Sequence, residues 1–284
     1  MPRLLMLLCF LTLISCFSKE KTVRIDGSST VFPISEAVLE EFQKKQPIKV
    51  VIGVSGTGGG MKKFCTGKIQ IAMASRLIKE SEIELCAKNN IKYQALEVAY
   101  DGIVIAVNPK NTWVSEMTVA DLKKLWEPSA QNKILFWDQL NNAWPHKPIH
   151  LFAPGVDSGT YDYFTKVIVG KEHASRGDVT SSEDDNVLVQ GISTDPFAIG
   201  FMGFGYYSEN RHKLKALSVN GMMPTFESIL KKTYAPLSRP LFIYVREKEL
   251  KQKKIKDLVN YYLYDSDELI REVGYVPIQN KILL

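Results

Sequence analysis

The sequence is poor in cysteine, in long apolar runs and in clustered charge, and each shortage excludes a class of protein. Only four of its 284 residues are cysteines, and Cys9 and Cys16 lie near the N-terminus, which excludes a small disulfide-dense scaffold. The 36 Lys and Arg against 31 Asp and Glu give a formal net charge of +5, but the basic residues form no arm or stripe. Nucleic acid is therefore not an expected partner.

Motifs for nucleotide binding, catalysis and metal binding are also absent. Gly67-Lys68 is followed by Ile69 and lacks the leading glycine of a Walker A loop. Residues 53–57 resemble a nucleophile elbow but end in threonine instead of glycine, which leaves a serine hydrolase unsupported without excluding it. Pro148 lies between His146 and His150, so that a shared metal-binding helix face is not expected. We assign no catalytic residue, metal or cofactor.

The N-terminal segment has the pattern of an export signal. Residues 4–14 form an apolar run that is too short to span a bilayer. The run ends in Leu13-Ile14-Ser15-Cys16, which resembles a bacterial lipobox. We therefore predict that residues 1–16 form a signal peptide ending at Cys16, and that lipidation of Cys16 tethers an otherwise soluble protein to a membrane surface. An ordinary secretory peptide cleaved nearby is the alternative.

Export bears on the two remaining cysteines. In an oxidising compartment Cys65 and Cys86 can form a disulfide. The sequence leaves this bridge and a pair of buried thiols as alternatives, because it does not show whether the two Cα atoms come within bonding range.

Short apolar runs alternate with helical patterns, which favours an α/β fold. Four strands, at 23–25, 49–54, 69–73 and 149–152, are each predicted to be followed by a polar turn and a helix. Residues 98–107 and 240–245 are further strand candidates, and helices over 247–264 and 267–273 are predicted to close the chain. The repeated unit of strand, polar turn and helix is the main feature of the body.

The polar turns are rich in serine, threonine and glycine at the expected helix starts. They contain Ser29 and Thr30, then residues 55–60, then Ser75, then residues 158–160. Helix N-termini carry unpaired N–H groups and a partial positive charge, so that several of them meeting at one point hold an oxyanion such as phosphate or sulfate. The alternative is that each residue caps its own helix. Four such turns in an exported chain favour a ligand site.

The same turns carry a resemblance to a known family. The matching segments are 27–33 (GSSTVFP), 54–58 (VSGTG), 74–76 (ASR), 157–160 (DSGT), 184–191 (DDNVLVQG) and 274–277 (GYVP). In this order they resemble the phosphate-binding proteins of ATP-driven (ABC-type) phosphate importers, the PstS family, over nearly all of the mature chain.

The resemblance implies a two-lobed periplasmic-binding-protein-like fold of type II. In such a fold mixed sheets are flanked by helices, and a two-strand hinge joins the lobes. Lobe 1 is predicted to contain residues 17–106 and 240–284, and lobe 2 residues 107–239. The two crossings are expected at 104–108 and 241–245.

The resemblance also implies ligand residues in the four turns. The first turn supplies Thr30 and Val31 beside Ser29, and the other three supply Ser55, Ser75 and the group Ser158, Gly159 and Thr160.

The chain departs from the family pattern at two positions. Better-known members have an aspartate acceptor in the third turn and an arginine shortly before the fourth, where this chain has Ser75-Arg76 and Pro154. We predict that Arg76 supplies the guanidinium and that Asp101 accepts the phosphate proton.

The expected function is that of a monomeric, membrane-tethered receptor at the bacterial cell surface or in the periplasm. It would capture inorganic phosphate and deliver it to the permease and ATPase of an ABC importer, and it would not be an enzyme. A receptor for sulfate or molybdate, a serine-dependent hydrolase and a surface lipoprotein with adhesive or sensing duties are the alternatives.

Overall fold

The computed structural model describes residues 22–156, 158–182 and 184–278. The predicted signal peptide and the lipidation residue Cys16 lie outside the described residues, as does Asp157 of the fourth motif. No helix of the described ranges has both the length and the apolar character needed to cross a membrane.

The described strands and helices follow the alternation predicted from the sequence. The strands are β1 (Val23–Gly27), β2 (Val50–Val54), β3 (Ile71–Ala74), β4 (Tyr93–Val107), β5 (Glu116–Met117), β6 (His150–Pro154), β7 (Thr180–Ser182), β8 (Ala198–Gly203), β9 (Lys215–Ala216), β10 (Ser218–Val219), β11 (Ser238–Arg246) and β12 (Val276–Pro277). The α-helices are α1 (Phe32–Lys45), α2 (Gly56–Cys65), α3 (Glu80–Lys88), α4 (Val119–Trp126), α5 (Gly159–Phe164), α6 (Asp185–Thr194), α7 (Phe204–Asn210), α8 (Phe226–Leu230), α9 (Glu247–Leu250), α10 (Lys253–Tyr264) and α11 (Asp267–Glu272).

The first lobe is built on the strand order β2-β1-β3-β11-β4. β1 pairs in parallel with β2 and β3, so that the turns after these three strands meet at one edge of the sheet. α1 follows the first turn because Pro33 fits a first helical turn and Ile34, Val38 and Phe42 bury one face at helical spacing. Parallel pairing therefore brings the first three polar turns together.

The second lobe is built on the order β4-β8-β6-β7, with β6 parallel to both β7 and β8. Its core contains stacked aromatic rings, with the Phe164 and Phe201 centroids 3.8 Å apart and Trp126 edge-on to Phe201. Phe164 belongs to α5, so this packing fixes the helix that begins at the fourth polar turn.

One long strand, β4, belongs to both lobes. Its residues 93–102 pair with β11, and its residues 103–107 pair with β8. Ile103 N–H donates to the Leu237 carbonyl at 2.8 Å, next to the start of β11. The chain therefore passes between the lobes at 102–103 and again at 237–238, which gives the two-strand hinge that the resemblance predicted.

The crossings are not where we expected them. Residues 104–107 pair inside the second lobe, and residues 241–245 pair inside the first. β4 changes partner directly after Asp101 and Gly102, and β11 begins at Ser238 and Arg239. The predicted lobe limits at 106–107 and 239–240 stay predictions.

A disulfide joins the helix of the second unit to the helix of the third. Cys65 at the end of α2 is bonded to Cys86 in α3, with the two Cα atoms 4.2 Å apart. Both residues are buried. Of the two alternatives left open by the sequence, the structure contains the bridge.

Loss of this bridge should destabilise the first lobe. The bridge spans 21 residues, a loop length for which chain-entropy arguments give about 3 kcal/mol. We expect Cys65→Ala combined with Cys86→Ala to lower the free energy of unfolding by that amount in urea titrations. Wild type in reductant is the control and should show the same loss. An unchanged urea midpoint in the double variant would show that the bridge is not stabilising.

Candidate functional site

The polar turns of the two lobes face each other across a hollow of about 480 Å³. Its walls come from both lobes and from the start of β11. Residues of the first lobe at the hollow are Ser28, Ser29, Thr30, Gly56, Thr57, Gly58, Ser75, Arg76 and Lys79. Residues of the second lobe and β11 are Gly159, Asp162, Tyr163, Lys166, Val167, Glu172, His173 and Arg239. We call this space the main hollow.

The first turn supplies unpaired main-chain donors. β1 ends at Gly27, where a Cβ would lie 2.1 Å from the Met73 carbonyl oxygen, so that only glycine allows this close approach. The N–H groups of Ser29, Thr30 and Val31 make no hydrogen bond with any described residue. They precede or begin α1, where helix geometry leaves N–H groups without a partner. The Val31 side chain is fully buried, so that only its main chain is available to a ligand.

In the second turn, the hydroxyl that faces the hollow is not the predicted one. The Ser55 hydroxyl donates to Asp26 at 2.5 Å, and Asp26 also pairs with Lys63. Ser55 is therefore engaged behind the turn and does not line the main hollow. Thr57 lines it instead, and its Oγ1 accepts from the Ser75 N–H at 3.1 Å. The N-terminus of α2 thus presents Thr57 next to the third turn.

The third turn places Ser75 and Arg76 at the main hollow, but Arg76 is already paired. Its guanidinium donates to the two carboxylate oxygens of Glu82 at 2.9 and 2.8 Å. Burial raises the pKa of Glu82, but the Arg76 hydrogen bonds and the Lys79 N–H outweigh it and hold that pKa below its usual range. The charge of Arg76 is therefore shared with a carboxylate at the edge of the cleft.

The guanidinium at the centre of the cleft belongs to Arg239, which the sequence analysis missed. Arg239 lies opposite Asp101 in the antiparallel pairing of β11 with β4, and the two form an ion pair at 3.1 Å. Its Nη2 also donates to Thr30 Oγ1 and to the Gly159 carbonyl, both at 3.0 Å. The guanidinium carbon lies 4.0 Å from the Tyr163 ring centroid. One side chain at the hinge thus contacts both lobes.

Asp101 lies behind this arginine. It is 2% exposed and faces a second hollow of about 430 Å³ on the other side of the contact between Thr30 and Gly159. Burial raises the pKa of the Asp101 carboxyl and outweighs the Arg239 guanidinium, which lowers it. Asp101, the predicted acceptor, is therefore buried and paired with Arg239, and Arg239 is the residue of this pair that contacts the centre of the cleft.

The fourth turn brings the second lobe against the first. Ser158 caps α5 by accepting from the Thr160 N–H at 3.2 Å. Gly159 packs so closely on Thr30 that a Cβ there would lie 1.9 Å from Thr30 Oγ1. Glycine is therefore required by close approach at the point where the lobes meet.

The structure brings most of the predicted residues to the cleft and divides them between its two hollows. Ser75 and Arg76 line the main hollow, Asp101, Ser158 and Thr160 line the second, and Ser29, Thr30 and Gly159 line both. The side chains of Ser55 and Val31 line neither. His146 and His150 pair with different aspartates, and the described ranges contain no cluster of three metal-binding side chains.

Comparison with known proteins identifies the family. The model of the PBP superfamily domain matches residues 18–267. Protein SphX of Synechococcus elongatus is 52% identical over 265 residues, which is 91% of this chain and 78% of the relative. The phosphate-binding protein PstS of Staphylococcus saprophyticus is 37% identical over 92% of this chain and 82% of its own. The chain belongs to the PstS family of phosphate-binding proteins.

A solved structure extends the likeness to the fold. The crystal structure of a possible phosphate binding protein from Planctomyces limnophilus is 40% identical, with a TM-score of 0.84 over 92% of this chain and 94% of the other. The type II periplasmic-binding-protein-like fold and the PstS resemblance predicted from the sequence are thereby confirmed.

Proposed function

We propose that this PstS-family protein is an extracytoplasmic receptor that captures inorganic phosphate in the main hollow and delivers it to an ABC importer. The observation that carries the proposal is the arrangement of hydrogen-bond donors around that hollow. Main-chain N–H groups before α1 and at the start of α2, the Ser75 hydroxyl and the Arg239 guanidinium all border one space. A tetrahedral anion with four oxygens fits such a set of donors.

The charge balance of the cleft suits an anion that must be released again. Arg239 is paired with Asp101 and Arg76 with Glu82, so that neither guanidinium is a bare positive charge. Most of the attraction would come from helix N-termini and hydroxyl groups. Such a site holds a phosphate by many directed hydrogen bonds, which opening of the lobes can break together.

The contacts of Arg239 would link phosphate binding to lobe closure. Its bonds to Thr30 in one lobe and to Gly159 in the other exist only while the two turns are close together. A phosphate between the same turns would add bonds to both sides and so stabilise the closed arrangement. An importer that binds the closed form would then bind only receptor that carries phosphate.

Asp101 is proposed to set the preference for phosphate over sulfate. Monohydrogen phosphate has a proton to donate and sulfate has none, so an acceptor network that begins at Asp101 penalises sulfate. We expect Asp101→Asn to reduce the preference for phosphate over sulfate by at least about tenfold, with a smaller loss of phosphate affinity. Competition titrations on the stripped protein measure this ratio. Unchanged sulfate rejection in the variant would remove Asp101 from the role.

A hydrolase is the less favoured reading of the same cleft. His173 lies at the main hollow, but its ring pairs with Asp162 and forms no hydrogen bond with a serine hydroxyl of the described residues. A serine nucleophile needs such a base within hydrogen-bond reach. Receptors for sulfate or molybdate remain the alternatives of the same class.

The anchoring and the transport partners are also part of the proposal. The lipobox-like residues 13–16 support lipidation of Cys16, which would hold the receptor, proposed to be a monomer, at the outer face of a membrane. Membership of the PstS family supports a permease and an ATPase as the recipients of phosphate.

Equilibrium dialysis with radiolabelled phosphate tests the proposed function. We would use the chain from residue 17, which retains every described element, after removal of bound anion. The expected result is one bound phosphate per chain, displaced by unlabelled phosphate but not by sulfate or molybdate at the same concentration. The protein should not hydrolyse a phosphomonoester. Displacement by sulfate or molybdate would mean that phosphate is not the specific ligand, and hydrolysis of the phosphomonoester would contradict the receptor assignment.

A further inference from the structure

The end of the first lobe opposite the cleft carries a basic surface. The cleft turns follow the carboxyl ends of β1, β2 and β3, so that the amino ends of these strands lie at the far edge of the sheet. Hydrogen bonds join neighbours along this edge, from Val23 N–H to the Lys49 carbonyl at 2.8 Å and from Glu247 N–H to the Lys92 carbonyl at 3.0 Å. We call this edge the base. Its exposed basic residues are Arg24, Lys49, Lys68, Lys92, Lys248 and Lys251.

The basic side chains of the base are exposed and form no ion pairs with the described residues. No salt bridge among the described residues includes any of the six. Three of them, Lys92, Lys248 and Lys251, surround a hollow of about 310 Å³ with the buried Arg246 as part of its wall. Glu247 also lines this hollow. The pairing of β4 with β11 brings Lys92 beside Lys248, which the sequence does not show.

The point at which the chain enters the first lobe indicates a membrane surface as the partner of the base. The chain enters β1 at Val23, which belongs to the base. Five residues lie between Cys16 and Thr22, and a fully extended chain over that interval reaches about 20 Å at most. A lipid on Cys16 would therefore keep the base within about 20 Å of the bilayer.

We propose that the base docks on the anionic phospholipid headgroups of the membrane to which the protein is tethered. Basic side chains near such a surface are attracted to it, each adding about fivefold to the partition constant. Docking by the base leaves the cleft at the opposite end of the same strands, open to the medium. This is an orientation for capturing phosphate, from which the receptor must turn on its tether to present the cleft to a membrane importer.

The chain-length argument rests on the proposed anchoring at Cys16, whereas the charge argument does not. The test therefore uses the chain from residue 17, which carries no lipid. Cosedimentation at low ionic strength would compare vesicles of equal parts phosphatidylglycerol and phosphatidylcholine with vesicles of phosphatidylcholine alone. Wild type should bind the first and not the second, and added salt should release it.

A matched pair of triple variants locates the binding face. Lys92→Gln, Lys248→Gln and Lys251→Gln together should weaken binding to the anionic vesicles on the order of a hundredfold. Lys110→Gln, Lys123→Gln and Lys171→Gln remove the same charge from exposed positions of the second lobe and should change it by less than about threefold.

Four results would overturn the proposal. The first two are an equal loss of binding in both triple variants and equal binding of wild type to uncharged vesicles. The others are release of wild type by inorganic phosphate beyond that by chloride at matched ionic strength, and absence of binding by wild type. Phosphate titration of each variant is the folding control and should match wild type. Because failure of the phosphate-binding proposal would appear in wild-type titrations without vesicles, the two proposals fail separately.

Discussion

Replacing Arg239 by methionine should lower the affinity for phosphate by about three orders of magnitude, the largest effect we expect from a single substitution. The side chain is 11% exposed and bonds to Thr30 Oγ1 and the Gly159 carbonyl. Loss of one partner from a buried, hydrogen-bonded charge pair typically costs several kcal/mol. Methionine keeps the length of the side chain but offers no donor to the ligand or to either turn. Isothermal calorimetry on anion-free protein measures the loss.

A second variant separates binding from folding. Arg239→Met leaves Asp101 buried without its partner, so we also expect the free energy of unfolding to fall by about 3 kcal/mol. Adding Asp101→Asn removes the stranded charge and should restore most of that stability, as measured in urea, while phosphate binding stays lost. Recovery of both properties in the double variant would mean that Arg239 acts only as a structural counter-ion.

Replacing Gly159 by alanine should weaken phosphate binding by about two orders of magnitude with little change in stability. The added Cβ would lie 1.9 Å from Thr30 Oγ1 and 3.1 Å from the Thr30 nitrogen, so the two turns must move apart. Thr30 and Gly159 lie in different lobes and neither belongs to a hydrophobic core cluster, so the cost falls on closure. Because closure brings donors of both lobes onto one anion, a separation of about 1 Å is enough to cost this factor.

Gly203→Ala is the matched control. Gly203 lines the same cleft, in the second hollow, and an added Cβ there meets no atom within 4 Å. We expect its phosphate affinity to equal that of wild type, and small-angle scattering with phosphate should show the closed form for Gly203→Ala but not for Gly159→Ala. Equal affinities in the two variants would contradict the claim that the Thr30–Gly159 contact belongs to the closed, ligand-holding state.

The four turns could be found from the sequence because each is a local pattern. A short apolar strand, a turn of serine, threonine or glycine, and a helix with apolar residues at helical spacing can be recognised within about 20 residues. Parallel pairing of β1 with β2 and β3 then follows from the chain order, and it brings Ser29, Thr57 and Ser75 to one edge. The α/β alternation and the polar turns were therefore predictable from the residues, whereas the two lobes and the cleft between them were implied by the resemblance to the PstS family.

The roles of individual charged residues were not predictable because their partners are distant in sequence. Asp101 and Arg239 are 138 residues apart and meet only through the antiparallel register of β4 and β11. Ser55 is taken by Asp26, 29 residues earlier, which leaves Thr57 at the cleft. One signal was present, since Ser238-Arg239-Pro240 places a charge at the head of an otherwise apolar strand. A charge entering a buried strand indicates a paired or functional residue.

The most direct test of the account is the position of the bound anion. Arsenate has the tetrahedral shape and the protonation of phosphate, and its arsenic atom gives an anomalous signal that locates it in a crystal. The account predicts one peak in the main hollow, within hydrogen-bond reach of the Thr30 and Val31 N–H groups, the Ser75 hydroxyl and the Arg239 guanidinium. A peak anywhere else, the second hollow included, or none at saturating arsenate, would contradict it.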